Sequence, residues 1–557
     1  MSADPGCGKS VLASFLVDEL KTELSSTVCF FFFKDDNEEQ KNATFALSAL
    51  LHQLFKAKSS LIKHALKEFN DKGEKFTKEL ETLWRIFTAA TTDPDCGNVT
   101  CIIDGLDECE ESTRKKLIEF LVSIYMPADH TGRNTDNSFL KFILTSRPYS
   151  SIERAFKKLP TIRLKAEEQT TAISADIELV INAEVKKLGE ERDLPDDVRT
   201  NLRDNLVKGA DQTFLWVSLI LKILQDIPAA SENEFHNTLN NIPSDLNAIY
   251  EKVLRGSRKP LVAKTILQIV VAAARPLTLE EMDIALAIQP SHKSIEDLKP
   301  YRLQPLQGAV KDICGLFVRV IDSKIYLMHQ TAKEFLIKCS STTTEGWKYS
   351  LCPIESSLTL AKSCIYYLLF TVFETHPLAL SSNRPPLFTV FETHSLALSS
   401  NRPPQNTEQA IDRYTREHVF LDYASKHWAT HVREAKIWEK PEFSSSALEV
   451  VDSGSKRLLT WFVVYQTAFG QHSIRCRYHR NVTSLAVASY IGHHEAVKQL
   501  LEKGAVVNDR DDLYGSALNA AAVGKHSSVV RLLLDRGAIV YLFGSEYRNI
   551  LQVKRYL

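Results

Sequence analysis

The sequence predicts a multidomain chain: an α/β domain on a parallel sheet, then helical domains of which one carries a β-hairpin, then helix pairs in a repeat. Three observations predict it. The first 165 residues alternate strand-like apolar runs with helical patterns. From about 170 onward the pattern is helical alone, and near the C-terminus a 33-residue period sets in. At 557 residues the chain is about three to four times the usual size of one domain, so each region can bury its own core.

In the first region four strands stand out: 28–33 (VCFFFF), 99–103 (VTCII), 140–144 (LKFIL) and 161–164 (TIRL). Helical stretches such as 40–55 and 113–125 separate them, as crossover connections of a parallel sheet require. The segment AISADIELVINAEVKKL opens the helical region, with Ile173, Ile177, Val180, Ile181, Val185 and Leu188 expected on one apolar face. Between 255 and 345, helices at 259–274 and 278–288 precede LFVRVIDSKIYLMH, two β-rich runs joined at Asp322-Ser323. Helices followed by a hairpin predict a winged helix.

Two internal repeats follow. LFTVFETHPLALSSNRPP at 369–386 recurs at 387–404 with one change, Pro377 to Ser395, so it is a tandem duplication of one unit. Each copy ends in Asn-Arg-Pro-Pro, which cannot continue a helix, and the second copy is expected to loop out on the surface. The other repeat is diverged. TSLAVASYIGHHEAVKQLLEKGA from Thr483 aligns with SALNAAAVGKHSSVVRLLLDRGA from Ser516 at an offset of 33, with Leu485/Leu518, Ala488/Ala521, His493/His526, Leu500/Leu533 and Gly504/Gly537 in register. This resembles the ankyrin repeat, a turn and two antiparallel helices of that period. The glycines are expected to close each second helix in a left-handed conformation. Lys525 stands where the first repeat has Gly492, which predicts strain in that turn. A third unit begins near Asn549.

Composition excludes several classes. Lys plus Arg is 68 against 69 for Asp plus Glu, a net charge of −1, which gives no global reason to bind a nucleic acid. No run of about 18 apolar residues is present, so no membrane span is predicted. The ten cysteines have neither a CxxC pair nor zinc spacing and are expected to be reduced, packed thiols. The opening MSADPGCGKS is not a signal peptide, which predicts a cytoplasmic protein.

The chemistry-bearing motifs lie at strand ends. ADPGCGKS, residues 3–10, fits the phosphate-binding pattern except that Ala3 replaces the first glycine. Gly6, Cys7 and Gly8 would offer backbone N–H groups to phosphates, Lys9 its charge, and Ser10 its hydroxyl to Mg²⁺. CIIDGLDE delivers Asp104 to the end of a buried strand, where it would be a Mg²⁺ carboxylate. Asp107 and Glu108 follow, and one of them could polarise a water. FILTSRP ends another strand with Ser146 and Arg147, where a cation could sense a γ-phosphate. These three strand ends predict an α/β P-loop NTPase that binds Mg²⁺ with ATP/ADP or GTP/GDP.

With these motifs, FFFFKDDNEEQKNA, GADQTFLWVSLIL, RPLTLEEMDIALAI and YLMHQTAKEFLI, the chain resembles the NACHT-type NTPase of fungal NOD-like receptors. Their first domain is also described as nephrocystin 3-like, and the family belongs to the signal-transduction ATPases with numerous domains. The resemblance implies an architecture of NTPase at 1–165, helical domain at 166–254, winged helix at 255–345, helical linker at 346–475 and an ankyrin solenoid at 480–557. It implies a nucleotide switch with slow hydrolysis, a triphosphate form that oligomerises and a repeat array that binds a protein ligand or restrains the switch. It also implies Asp107 and Glu108 as hydrolytic acids, Arg147 as sensor, and His329 as a group touching the ADP phosphate.

The chain departs from that family in opening two residues before Ala3. This predicts an N-terminally truncated parallel sheet without its first strand, with unpaired edges around 99–103, and a fragment or shortened form of a longer architecture. The rival function is a protein-interaction scaffold whose NTPase no longer binds nucleotide.

Overall fold

A computed structural model describes residues 1–540 apart from 4, 23–25, 38, 126–139, 165–169, 210–213, 228–236, 239–240, 244, 304, 338–345, 379–404, 437–440, 469–481 and 511–513. The second duplicated copy and the third repeat near Asn549 lie outside the described residues. The chain forms two compact units. One comprises Met1–Gly256, Ala274–Pro276 and His329–Phe335, and the other Ser257–Ala273, Leu277–Met328 and Leu336–Leu557.

The N-terminal unit is built on parallel strands. β2 (Ser26–Phe32), β3 (Asn98–Asp104) and β4 (Leu140–Leu144) form one sheet in the order β2-β3-β4. Cys29 lies opposite Cys101, and Cys101 opposite Phe142. β3 is buried along all but its first residue, as its continuous apolar run requires of a central parallel strand. Helices α1 (Lys9–Thr22), α2 (Ala43–Ala57), α3 (Lys63–Lys72), α4 (Leu80–Thr91), α5 (Glu111–Tyr125) and α6 (Ser150–Ala155) connect or flank the strands. Leu47, Leu50, Leu54, Phe87, Val99, Cys101 and Leu117 meet in the larger core on one face of the sheet. Ala13 and Val17 of α1 pack with Ile102 on a smaller one.

The expected loss of the first strand is corrected. Ser2–Ala3 forms a short strand, β1, parallel to β5 (Arg163–Leu164), with Ser2 opposite Arg163 and Ala3 opposite Leu164. On its other side β1 bridges to Ser146, just beyond β4: Ser146 N–H donates to Met1 O at 3.1 Å and Ala3 N–H to Ser146 O at 3.1 Å. The strand before the phosphate loop therefore lies beside the strand that carries Arg147, not beside the one that carries Asp104. The edges around 99–103 are not open, because β2 and β4 pair both sides of β3.

Helices α7 (Thr170–Glu191), α8 (Asp196–Gly209), α9 (Phe214–Asp226) and α10 (Leu246–Arg255) complete this unit. In α7, Ile177, Ile181, Val185 and Leu188 are buried, but Val180 is 41% exposed. At 100° per residue Val180 falls roughly a quarter turn from the centre of that apolar stripe. The side chain of Ile173 lies outside those described.

In the C-terminal unit, Thr278 begins the helix Leu279–Ala287 with a capping box: its hydroxyl accepts from Glu281 N–H and the Glu281 carboxylate accepts from Thr278 N–H. The hairpin predicted at Asp322-Ser323 is present. β6 (Val318–Ile321) and β7 (Lys324–Leu327) pair antiparallel with Ile321 opposite Lys324, and both turn residues have positive φ, 49° and 59°. Thr278 bridges to Lys324 and adds a third edge to this small sheet. Of the first duplicated copy, Phe370 and Phe373 are buried against Tyr367, and Tyr367 meets Phe420 edge-on.

The two aligned repeats form the helix pairs Ser484–Tyr490 with His494–Glu502, and Ala517–Val523 with Ser527–Asp535. Thr483 and Ser516, one period apart, cap the first helix of each pair. Gly504 (φ 93°) and Gly537 (φ 84°) close the second helices, and Ala505 and Ala538 N–H reach back to Leu500 and Leu533 O. A preceding helix, Lys456–Ala468, packs Phe462 edge-on to Tyr490, and Trp461 against Trp428, which stacks on His493.

The expected strain at Lys525 is present, at φ 62°, where the first repeat has Gly492 at φ 77°. A Cβ on Gly492 would sit 2.4 Å from the His526 ring. A left-handed residue with a Cβ costs about 1 kcal/mol. Lys525→Gly is therefore expected to stabilise the repeat helices by about that amount, and Gly492→Ala to destabilise them by more. Chemical denaturation followed by helical circular dichroism checks this. A lower midpoint for Lys525→Gly would mean that its side chain makes contacts that outweigh the backbone cost. Because the first copy supplies Phe370 and Phe373, deletion of 387–404 is expected to shift the same midpoint by less than about 1 kcal/mol.

Candidate functional site

Parallel strands present their carboxyl ends on one edge, which is where ligands bind in open α/β sheets. Here that edge carries the loop after β1, the turn after β3 and the residues after β4. The loop residues Gly6 and Gly8 have φ of 81° and 77°, while Cys7 between them keeps an ordinary negative φ. Alternation of this kind lines successive backbone N–H groups into an anion-binding concavity. Helix α1 starts at Lys9 and bonds back to the loop through Leu12 N–H to Gly8 O at 2.9 Å. A Cβ on Gly8 would come 3.7 Å from the Phe214 ring of α9.

The Lys9 ammonium donates to Ala3 O at 2.8 Å. Burial lowers its pKa, Asp107, Cys7 and Asp104 oppose that shift, and Arg147 adds to it. Lys9 thus shares one electrostatic environment with Asp104, Asp107 and Arg147. Ser10, in the first turn of α1, is exposed.

The turn after β3 depends on Gly105. Its φ of 68° carries the chain out of the strand, and a Cβ there would press to 3.3 Å from Phe33 O. Thr145 locks this exit. Its hydroxyl donates to Asp104 Oδ1 at 2.5 Å and accepts from Gly105 N–H at 3.0 Å, and its carbonyl accepts from Leu106 N–H at 3.0 Å. Asp104 is buried, and with one oxygen on Thr145, its other is the one that could face a cation.

Leu106–Glu108 then form a single 3₁₀ turn. Asp107 turns back to the end of β4, where Oδ1 accepts from Arg147 N–H at 2.9 Å and Oδ2 lies 3.2 Å from Arg147 Nε. Arg147 keeps only 9% of its side chain exposed, and its Nη1 meets Glu334 Oε1 at 2.6 Å. Glu108 ends the 3₁₀ turn. Burial, then Asp35 and Asp107, raise its carboxyl to about 8, against the milder pull of Arg147 and of the Asp35 N–H.

Glu334 lies on the helix Gln330–Leu336, whose residues through Phe335 belong to this unit. Lys333 on the same helix pairs with Asp35 at 2.7 Å. His329 begins the helix: its Nδ1 accepts from Thr331 N–H at 3.2 Å and meets the Thr331 hydroxyl at 2.9 Å, which in turn meets Tyr250 OH at 2.7 Å. The structure gives His329 a helix-start role.

Sequence reasoning named neither Thr145, Asp35, Lys333 nor Glu334. Thr145 was legible as the hydroxyl next to Ser146 and Arg147 at a strand end. Asp35 was legible as an acid directly after an apolar strand. For Glu334 the sequence held no local signal, since its partner is 187 positions away.

The residues present fit a Mg²⁺-bound polyphosphate by the chemistry of the donor set. Lys9 and Arg147 are cations, Ser10 and Asp104 carry hard oxygen atoms of the kind Mg²⁺ takes, and two left-handed glycines shape the loop. Among the described residues there is no cluster of three His, Cys, Asp or Glu that would hold a metal without such a ligand. Among those residues, no helix is long and apolar enough to cross a membrane, and the described cysteines are free thiols.

Comparison with known proteins places three regions in families. Residues 1–147 match the family described as nephrocystin 3, N-terminal; 250–345 match the winged helix domain of GPI inositol-deacylase; and 448–542 match ankyrin repeats in three copies. The ankyrin match reaches back over the helix Lys456–Ala468, ahead of the two repeats that begin at Thr483 and Ser516. The vegetative incompatibility protein HET-E-1 of Podospora anserina is 28% identical over 350 residues, 61% of this chain and 24% of its own length. The chain thus spans about a quarter of that relative. The azaphilone pigments biosynthesis cluster protein L of Monascus ruber is 23% identical over 372 residues, 62% of this chain and 70% of its own. Among solved structures, the ADP form of the Aeropyrum pernix ORC2 protein aligns with 59% of this chain and 82% of its own at 13% identity, but its TM-score of 0.26 is too low to bear on the fold. The nephrocystin 3-type match at the N-terminus, the ankyrin match near the C-terminus and the similarity to HET-E-1 together support a NACHT-type protein with ankyrin repeats.

Proposed function

We propose that the N-terminal unit binds a Mg²⁺-loaded nucleoside polyphosphate as a signalling switch with slow hydrolysis, while the ankyrin repeats bind protein partners. One observation carries the reading. Lys9, Asp104, Asp107 and Arg147, from three separate strand ends, converge in one electrostatic environment beside a loop of alternating left-handed glycines. ATP and GTP are both admitted, because the groups named act on phosphate and Mg²⁺ and not on the base. Kinship to an incompatibility protein favours a role in recognition of that type, with oligomerisation in the triphosphate form.

The roles divide as follows. Lys9 would leave Ala3 O to neutralise the terminal phosphates, and Ser10 with Asp104 would hold Mg²⁺, which supplies charge neutralisation for phosphoryl transfer. Asp107 is committed to Arg147 through both oxygens and orients it. Glu108 is then the better candidate for the acid that polarises water, since a carboxyl near pH 8 sits close to the operating pH of a general base.

Titration of the whole chain with a fluorescent ATP analogue, with and without Mg²⁺, tests the reading. Mg²⁺-dependent binding that Lys9→Ala abolishes is expected. Absence of binding to ATP and GTP analogues alike would sink it and leave the scaffold reading, which the ankyrin match favours.

The acid gives a second expectation. The Glu108 carboxyl is raised in the folded protein to about 8 from 4.5. The stability linked to it is fully present below pH 4.5, and is lost as pH rises through 8. In the metal-free protein Glu108→Gln is therefore expected to flatten this fall and to raise the melting temperature at pH 8 and above. Parallel melting curves for the two proteins across that range would refute the raised carboxyl.

A further inference from the structure

A cation as enclosed as Arg147 must be matched by anions in every state of the site, because an unmatched buried charge is costly. Asp107 is a fixed match, held on the same sheet edge by the turn after β3. Glu334 is of another kind. Its side chain is 44% exposed, and it sits on the short helix Gln330–Leu336. That helix is tied to the unit by two ion pairs, Arg147–Glu334 and Lys333–Asp35, by the Thr331–Tyr250 hydrogen bond, and by packing of Phe335 on the Tyr250 ring with centroids 5.4 Å apart.

We propose that Glu334 is the residue by which the nucleotide site distinguishes a triphosphate from a diphosphate: its carboxylate holds Arg147 when no third phosphate is present, and a triphosphate must displace it. This rests on the nucleotide reading above. Carboxylate and phosphate oxygens are alternative partners for a guanidinium, and both match its planar fork. Asp107 already serves Nε and the Arg147 N–H, so a phosphate must come to the outer edge of the guanidinium, formed by the two Nη groups, where Glu334 serves Nη1. A terminal phosphate cannot join Glu334 there without setting two anions side by side. The diphosphate lacks that group and leaves the pair in place.

Displacement has a structural consequence. The Arg147–Glu334 pair is lost, and the Lys333 pair ends on Asp35, whose charge acts on the Glu108 carboxyl. The helix thus reports on both ends of the acidic cluster, at Arg147 and at Glu108. By reciprocity, whatever holds the helix docked weakens the triphosphate, and the triphosphate loosens the helix by the same factor.

The test measures dissociation constants of Mg²⁺ tri- and diphosphate for the whole chain and for Glu334→Gln, together with hydrogen exchange of amides 330–336 in the wild type. The substitution is expected to tighten the triphosphate about tenfold and leave the diphosphate within about twofold. Exchange of the helix amides is expected to quicken with triphosphate and not with diphosphate. If the wild type binds nucleotide but Glu334→Gln shifts both ligands alike or neither, the proposal falls and the nucleotide reading stands. The wild-type exchange experiment decides the proposal by itself should Glu334→Gln misfold, and equal exchange with both ligands overturns it. No binding of any nucleotide by the wild type removes the reading and the proposal together.

Discussion

Charge at the carboxyl edge of the sheet is shielded from water, and each group placed there is answered by another. Arg147 cannot lose its proton, so its environment must supply anions rather than neutralise it. Asp107 and Glu334 supply them. The geometry of the turn after β3 follows from that demand. Gly105 must adopt a left-handed φ for the chain to leave the strand and return Asp107 to Arg147, and Thr145 pins the exit by bonding Asp104, Gly105 and Leu106 at once. The same enclosure explains the opposite shifts of neighbouring groups. Burial is the leading cause in both, disfavouring the charge on Lys9 and on Glu108 alike, so one pKa falls and the other rises.

What was legible in the sequence was local. The hairpin at Asp322-Ser323 and the left-handed closing glycines are set by residues a few positions apart, and each is found where the pattern puts it. The order of strands in the sheet is a different kind of fact. β1 pairs with β5, over 150 residues later in the chain, and the periodicity of either segment carries no information about its neighbour. Val180 shows the limit within one helix, since a stripe of six apolar residues can be drawn wider than the buried face it meets. In the site, every residue read from a motif stood at a strand end, whereas Glu334 and Lys333 came from a helix whose distant partners no pattern announces.

In the helical half of the chain large aromatic side chains fill the core, beside ion pairs such as Arg302–Asp283. Trp428 meets Trp461 edge-on and stacks on His493 in one buried cluster, and burial pushes the His493 imidazole down to about 3, so it stays neutral and packs as an aromatic ring. Phe370, Phe373, Tyr367 and Phe420 do the same around the first duplicated copy. Such contacts are indifferent to the small ionic changes that would accompany a ligand.

The two kinds of bonding have different consequences for a switch. An aromatic core loses several kcal/mol when opened by even one large side chain, so it is a poor element to move in response to a single ligand. An ion pair with one partially exposed partner costs far less to exchange, because solvent and an incoming anion both compensate the loss. In the N-terminal unit the segment with that character is the helix Gln330–Leu336. Glu334 and Lys333 lie partly exposed on it, and each answers a group at the end of a strand. Its buried apolar side chains are Ala332, Phe335 and Leu336, and the two ion pairs hold its polar face. Under the proposed nucleotide reading, a response to one phosphate more or less is best coupled to an element bound in that way.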